Sequence, residues 1–130
     1  MKFLIDTHIF LWYITNDNRL DLGFKNIIID KTNEIYLSVV SIWEMLIKAK
    51  LGKLFIPQPY YKFIVEQLEQ HKIDVLAVNK IELVHLESLP EIHKDPFDRI
   101  MICQSIEYNH ILLTDDNNIL KYPIKRLNSQ

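Results

Sequence analysis

The sequence predicts an α/β fold, a three-layer α/β/α sandwich in which helices cover both faces of a mostly parallel sheet. Short apolar runs typical of buried strands alternate along the chain with segments whose apolar residues recur at helical spacing. Strands that alternate with helices are joined by right-handed crossovers and therefore lie parallel. The chain has 130 residues, 48% of them hydrophobic, so we expect residues 1–130 to form one domain.

The first strand is predicted over Lys2 to Ile5, an apolar run that ends at an acid. Asp6 and Thr7 both favour the N-cap position of a helix, and a helix is expected from His8 to Ile14. Apolar residues at helical spacing then predict a second helix from Gly23 to Lys31.

The segment from Glu34 to Ser38 is rich in strand-forming residues and predicts the second strand. Ser41 is the expected N-cap of a helix from Ile42 to Lys50, and Gly52 suits the C-terminal end of that helix. After two prolines, apolar residues at helical spacing predict a further helix from Tyr60 to His71.

A third strand is predicted from Ile73 to Val78, followed by a short helix that Asn79 caps and that reaches Leu86. Asp95 and Pro96 together start the next helix, because aspartate is favoured at the N-cap and proline at the first helical position.

The last two strands are predicted over His110 to Leu113 and Ile124 to Leu127, the second at an edge of the sheet. The loop from Thr114 to Asn118 lies between them. Because parallel strands end at the same edge of a sheet, this loop is expected to meet the end of the first strand.

Composition excludes several classes of protein. The chain has one cysteine, Cys103, so it forms no internal disulfide and no cysteine-based metal cluster. Asp6 and His8 interrupt the apolar N-terminus before it reaches the length of a signal sequence, and we expect a soluble, cytoplasmic protein without a membrane span. The net charge of −2 indicates that any contact with nucleic acid is local.

Four acidic residues lie at or just after predicted strand ends, two of them in the first turns of helices. They are Asp6, Glu44, Asp98 and Asp116. Ligands of open parallel sheets bind at this edge, near the point where the strand order reverses, so the four carboxylates are expected to meet. Such a cluster requires a cation or a shared proton, because the carboxylates repel one another. The all-oxygen donor set favours Mg²⁺ or Mn²⁺ over zinc and indicates phosphate chemistry.

Each acid also has a structural interpretation. Asp6 suits an N-cap, and Glu44 stands four residues before Lys48, an order that favours a helical ion pair of roughly 0.2–0.5 kcal/mol. Asp98 would complement the dipole of its helix, and Asp116 with its acidic neighbour would suit a turn. Their common position at one edge of the sheet favours the metal site.

Several neighbours of these acids have two interpretations. Thr7 and Thr114 are expected to support the carboxylates through their hydroxyl groups, although threonine is also common at helix caps. Lys48 and Arg99 are candidate contacts for a phosphate, and each is equally suited to pair with a carboxylate. His93 lies near the predicted ligands, but a lone histidine is typical of a structural role.

Four segments resemble the PIN-domain family, specifically the VapC-type toxins of bacterial type II toxin–antitoxin systems. In order, they are LIDTHIFLWY, SVVSIWEMLIKAKLGKL, HKDPFDRIMICQS and ILLTDDNNILKYPI. The resemblance implies an α/β/α sandwich and an endoribonuclease that uses Mg²⁺ or Mn²⁺. It also implies a homodimer, and a cognate antitoxin that covers or enters the site.

The resemblance assigns metal binding to the same four acids, Asp6, Glu44, Asp98 and Asp116, and gives Asp95 an assisting role. The spacing of the T-x-D motif favours Asp116 over Asp115. A PIN-fold nuclease outside a toxin–antitoxin pair and a catalytically silent PIN-fold binding protein remain open alternatives. Receiver domains and aspartyl-phosphate phosphatases also place acids at strand ends, but the sequence after Asp6 matches neither motif.

Overall fold

The structure is a computed structural model that describes residues 1–125. Its four strands are β1 (Lys2–Ile5), β2 (Glu34–Ser38), β3 (Asp74–Leu76) and β4 (Ile111–Leu113). They form one sheet in the order β3-β2-β1-β4, and all neighbouring strands are parallel. The strand order reverses at β1, because β2 and β3 lie on one side of it and β4 on the other.

Five α-helices accompany the strands. They are α1 (Thr7–Ile14), α2 (Leu22–Ile29), α3 (Val39–Lys50), α4 (Tyr60–Gln70) and α5 (Pro96–Tyr108), with short 3₁₀ helices at Lys80–His85 and Ile119–Lys121. Helices α1 to α4 pack in one apolar cluster on one face of the sheet, and α5 packs on the other face. This arrangement confirms the predicted α/β sandwich with a parallel sheet.

Strand β1 lies at the centre of the sheet and is buried on both faces. Phe3 and Ile5 contact the α1 to α4 side, and Leu4 contacts the α5 side. Side chains alternate across a strand, so a strand that is covered on both faces needs an uninterrupted apolar run. This requirement explains why the sequence predicts β1 with its observed bounds.

Helix α3 begins earlier than predicted. Ser38, the last residue of β2, is its N-cap and accepts a hydrogen bond from the Val40 N–H at 3.2 Å. The prediction that Ser41 caps this helix is wrong, because the Ser41 hydroxyl lies 2.8 Å from the Thr7 hydroxyl instead. Glu44 therefore lies in the second turn of α3 and not in the first.

The C-terminal strand predicted from Ile124 to Leu127 is not formed in the described residues. Residues 124 and 125 are not strand, and 126 and 127 lie outside the described part of the chain. The Leu112 N–H nevertheless donates to the Lys125 carbonyl at 3.1 Å, which places this segment beside β4. Within residues 1–125, none of the helices has both the length and the apolar character needed to cross a bilayer.

Candidate metal centre

The adjacent ends of β1 and β4 bring Asp6 and Thr114 into contact. The Thr114 hydroxyl donates to Asp6 Oδ2 at 2.8 Å, and the Asp116 N–H donates to the Thr114 hydroxyl at 3.0 Å. Asp6 occupies the N-cap position of α1, but its side chain caps no N–H group there. Its interpretation as a capping side chain is therefore wrong, and its carboxylate, with only 3% of the residue exposed, belongs to the sheet edge.

Glu44 is also buried, with 4% of its surface exposed. Its Oε1 accepts a hydrogen bond from the Thr7 hydroxyl at 3.0 Å, and its Oε2 lies 2.6 Å from Lys48 Nζ. The ion pair suggested by the sequence is present, but its carboxylate is held inside the protein and not on a solvated helix face. A buried carboxylate needs such partners, because burial without them is costly.

The first turn of α5 positions Asp98. Asp95 is the N-cap, and its Oδ1 accepts from the Phe97 N–H at 2.8 Å and the Asp98 N–H at 3.1 Å. The Asp98 side chain is thereby left to face the other acids, and its Oδ2 lies 3.1 Å from His93 Nε2. The predicted helix start at Asp95 and Pro96 is confirmed.

The electrostatics of Asp98 show that the acids lie close enough to repel one another. Burial and, to a smaller extent, repulsion from four neighbouring carboxylates together raise the pKa of Asp98 to about 8. The four are those of Asp6, Asp95, Glu44 and Asp116. The pKa of Asp6 is also raised, mainly by burial. Without a cation, Asp6 and Asp98 therefore keep their protons to a higher pH than isolated aspartates do.

His93 was expected near the predicted ligands but was not assigned to the site, and the structure places it in contact with two of the acids. Its Nε2 lies 3.1 Å from Asp98 Oδ2 and 3.4 Å from Asp116 Oδ2. Its Nδ1 accepts a hydrogen bond from the Asp95 N–H at 3.2 Å, so the ring carries its proton on Nε2. The Nε2–H group of the His93 ring therefore faces the carboxylates of Asp98 and Asp116 as a hydrogen-bond donor. Its position two residues before an N-cap aspartate is the one sequence signal that pointed to it.

Asp116 and Asp115 differ clearly in their surroundings. Asp115 is exposed, whereas Asp116 is partly buried. Asp116 Oδ1 accepts from the Asn118 N–H at 2.8 Å, which leaves Oδ2 facing His93. The structure therefore places Asp116, and not Asp115, among the clustered acids.

Arg99 forms hydrogen bonds with the backbone of the loop that precedes α5. Only 14% of its side chain is exposed, and its guanidinium donates to the backbone carbonyls of Pro90 at 3.1 Å and His93 at 3.3 Å. These bonds hold the backbone of His93, and a contact between Arg99 and a phosphate stays a prediction. Lys48, by contrast, lies at the cluster with 42% of its side chain exposed.

The donor set fits a hard divalent cation. Carboxylate oxygens are the ligands that Mg²⁺ and Mn²⁺ prefer, and a cation would relieve the repulsion that raises the pKa of Asp98. One carboxylate oxygen of Asp98 and one of Asp116 lie within 4.8 Å of each other, and the ring of His93 lies beside both as a hydrogen-bond donor. Asp6 and Glu44 border the same group, because their charges both act on Asp98.

Comparisons with known proteins give one family and one type of fold. A family profile described as PIN domain matches residues 3–125. The chain is similar to the crystal structure of VapBC2 from Rickettsia felis bound to a DNA fragment from their promoter, with a TM-score of 0.73, 15% identity and 98% of each chain covered. No curated protein sequence matches the chain.

A second similar structure is a domain of a functionally unknown protein from Methanocaldococcus jannaschii. Its TM-score is 0.55 at 20% identity, with 97% of this chain and 89% of that chain covered. At these identities, the similarity to both solved structures establishes the fold alone.

Proposed function

Because the chain belongs to the PIN domain family, we propose that it is a metal-dependent endoribonuclease that hydrolyses phosphodiester bonds of RNA. The observation that carries this proposal is the convergence of two buried and two partly buried carboxylates at the edge where β1 and β4 end. We also propose that residues 1–130 form one PIN domain and that the protein acts in the cytoplasm, where RNA is available.

The residues proposed to hold Mg²⁺ or Mn²⁺ are Asp6, Glu44, Asp98 and Asp116. When bound, such a cation polarises a phosphate and lowers the pKa of water, which is the chemistry that phosphodiester hydrolysis requires. The protein's own contribution is to hold the carboxylates in place: Thr114 bonds Asp6, and Thr7 bonds Glu44. Supporting bonds of this kind matter because they orient metal ligands.

Lys48 is proposed to contact a phosphate oxygen of the RNA. Its ammonium group pairs with Glu44 at 2.6 Å, so it is already positioned beside the metal centre. A cation that neutralises Glu44 would leave the Lys48 charge available to a phosphate. Asp95 assists by fixing the first turn of α5.

We propose that the protein is the toxin of a type II toxin–antitoxin pair, with a cognate antitoxin that covers or enters the acidic site. The similarity to a VapBC structure supports this proposal through the shared fold. Purified protein should cleave RNA in Mg²⁺ or Mn²⁺ and leave it intact in a chelator. RNA that stays intact in both conditions would instead favour a catalytically silent binding protein.

Asp116→Asn should impair RNA cleavage far more than Asp115→Asn. Asp116 faces the clustered acids, whereas Asp115 faces solvent, and we expect cleavage to fall by at least about 100-fold in the first variant only. Initial rates at saturating Mg²⁺ measure both. Equal losses in the two variants would show that the assignment of Asp116 is incorrect.

His93→Ala should lower both RNA cleavage and Mg²⁺ affinity by about 10–100-fold, the range typical of residues that orient metal ligands. His93→Gln should restore part of each, because its amide N–H reaches a similar position. Calorimetric Mg²⁺ titration and initial rates measure the two effects. His71→Ala is the control, since His71 packs on Tyr13, away from the acids. Unchanged Mg²⁺ affinity in His93→Ala would contradict the positioning role.

We propose that the protein is a homodimer that associates through α3. Exposed apolar residues recur every four positions along one side of this helix and at its C-cap: Val39, Trp43, Ile47 and the C-cap residue Leu51. Trp43 is 60% exposed and contacts the Phe97 ring edge-on at 5.1 Å. An apolar stripe of this kind is typical of a contact surface, and the same stripe on a second copy would complement it.

Trp43→Glu is expected to convert the dimer into a monomer, because it places a charge in the centre of the proposed contact. Light scattering during gel filtration measures the mass. Leu22→Glu is the matched control, since Leu22 is 69% exposed on α2, outside the stripe. A dimer that survives Trp43→Glu would exclude this surface.

A further inference from the structure

A cavity of about 400 Å³ opens beside the metal centre, and the carboxylates do not use it. Thr7 and Lys48 line it, and the Thr7 hydroxyl and the Lys48 ammonium group both bond to Glu44. The cavity therefore adjoins Glu44, one of the four clustered acids. Its volume falls within the range of roughly 300–1,000 Å³ that is usual for ligand sites.

Aromatic side chains form much of the cavity. Trp12 is partly buried in its wall, and the Arg19 guanidinium lies over the Trp12 ring at 5.1 Å. His8 lies 6.1 Å from the same ring. Phe55, in the loop between α3 and α4, also lines the cavity and is 91% exposed. Phe55 therefore offers an aromatic face that is not covered by any other part of residues 1–125.

The charged residues that line the cavity are mostly positive. The lining contains three basic residues, Arg19, Lys48 and Lys53, and one acid, Asp17. Asp17 pairs with Arg19 at 2.7 Å. Lys53 is exposed and forms no ion pair with any of residues 1–125. The cavity thus presents positive charge directly beside a cluster of acids, an arrangement that suits a phosphate and an attached base.

We propose that this cavity is a nucleobase subsite for single-stranded RNA. The base next to the scissile phosphate stacks on Phe55 against the Trp12 wall, and a flanking phosphate contacts Lys53. Single-stranded RNA is the substrate class that fits, because its unstacked bases are free to stack on aromatic side chains. The inference rests on the proposed ribonuclease function. A protein segment is the less favoured occupant, because Lys53 beside the exposed ring of Phe55 matches the phosphate and base of one nucleotide.

Fluorescence of Trp12 tests the occupant directly. The chain has two tryptophans, so Trp43→Phe leaves Trp12 as the sole reporter, and Asp6→Asn keeps the RNA intact during the measurement. A short unstructured RNA oligonucleotide should change the Trp12 emission in a saturable way, and a duplex of the same sequence should not. Saturable RNA binding without any change in Trp12 emission would overturn the proposal.

Two substitutions in the Asp6→Asn background test the contacts. Phe55→Ala should weaken binding of the oligonucleotide about tenfold, as expected for one lost base–aromatic stack. Tyr61→Ala is its control, since Tyr61 is 63% exposed but lies outside the cavity. Lys53→Ala should reduce the slope of log affinity against log salt by about 0.7, whereas exposed Lys62→Ala should not.

The outcomes separate this inference from the proposed function. If the parent protein cleaves RNA and Phe55→Ala cleaves it with an unchanged KM, the ribonuclease stands and the subsite is overturned. If no RNA is cleaved with any metal but Phe55→Ala still weakens binding, the subsite stands and the ribonuclease fails. Loss of binding to an antitoxin in Phe55→Ala, with RNA affinity unchanged, would make the cavity a protein-docking site and overturn the proposal.

Discussion

Asp6→Asn is expected to reduce RNA cleavage by more than about 100-fold, beyond the loss typical of residues that only orient a metal ligand. Asparagine keeps the size of the side chain and an oxygen for the Thr114 hydroxyl, which now bonds Asp6 at 2.8 Å. It removes the negative charge that a divalent cation requires. Because burial raises the pKa of Asp6, removal of this charge should not destabilise the metal-free fold.

Initial rates of RNA cleavage at saturating Mg²⁺ measure the loss in Asp6→Asn, and the melting temperature without metal measures the fold. Asp30→Asn is the matched control, since Asp30 is an exposed acid at the end of α2, and among residues 1–125 its carboxylate bonds to Thr32 alone. Parental cleavage rates in a folded Asp6→Asn protein would rule out Asp6 as a metal ligand.

Asp6 and Asp98 were predictable from the sequence because local signals fix their positions. The apolar run of β1 ends directly before Asp6, and any residue at that place reaches the edge of the sheet where ligands bind. Asp95 and Pro96 fix the start of α5, so Asp98 falls in its first turn. Patterns of this kind involve only a few neighbouring residues, so they can be recognised in a single sequence.

Other parts of the site depend on contacts between distant segments and were not predictable. Ser38 and Ser41 both suit the N-cap position. Ser38 takes this position in the structure, because the Ser41 hydroxyl accepts a hydrogen bond from Thr7 instead. His93 joins the acids only because the loop before α5 folds against Asp116. Sequence spacing contains no record of such a contact. The same limit applies to the structural role of Arg99.

The metal-free protein is expected to lose stability as the pH rises from about 4 to about 8. The pKa of Asp98 is raised from 3.8 to about 8 in the folded protein, mainly by burial. Between these two pH values, Asp98 keeps its proton in the folded protein but loses it in the unfolded chain. Asp98 therefore contributes its full share to the free energy of unfolding below a pH of about 3.8. That share falls as the pH rises and is lost once the pH passes about 8. Asp98→Asn should flatten this dependence, because it removes the titrating group.

Saturating Mg²⁺ should reverse this loss, because the cation binds the deprotonated carboxylates of the folded protein only. At about 100 times its dissociation constant, it would add about 2.7 kcal/mol to the free energy of unfolding, a rise in melting temperature on the order of 10 °C. The rise should be larger near pH 8 than near pH 5, since protons compete with the metal for Asp98. Thermal melts across this pH range, with and without Mg²⁺, measure both effects. An equal rise in Asp98→Asn would show that Asp98 is not a ligand, and no rise in the parent protein would show that the clustered acids do not bind the metal.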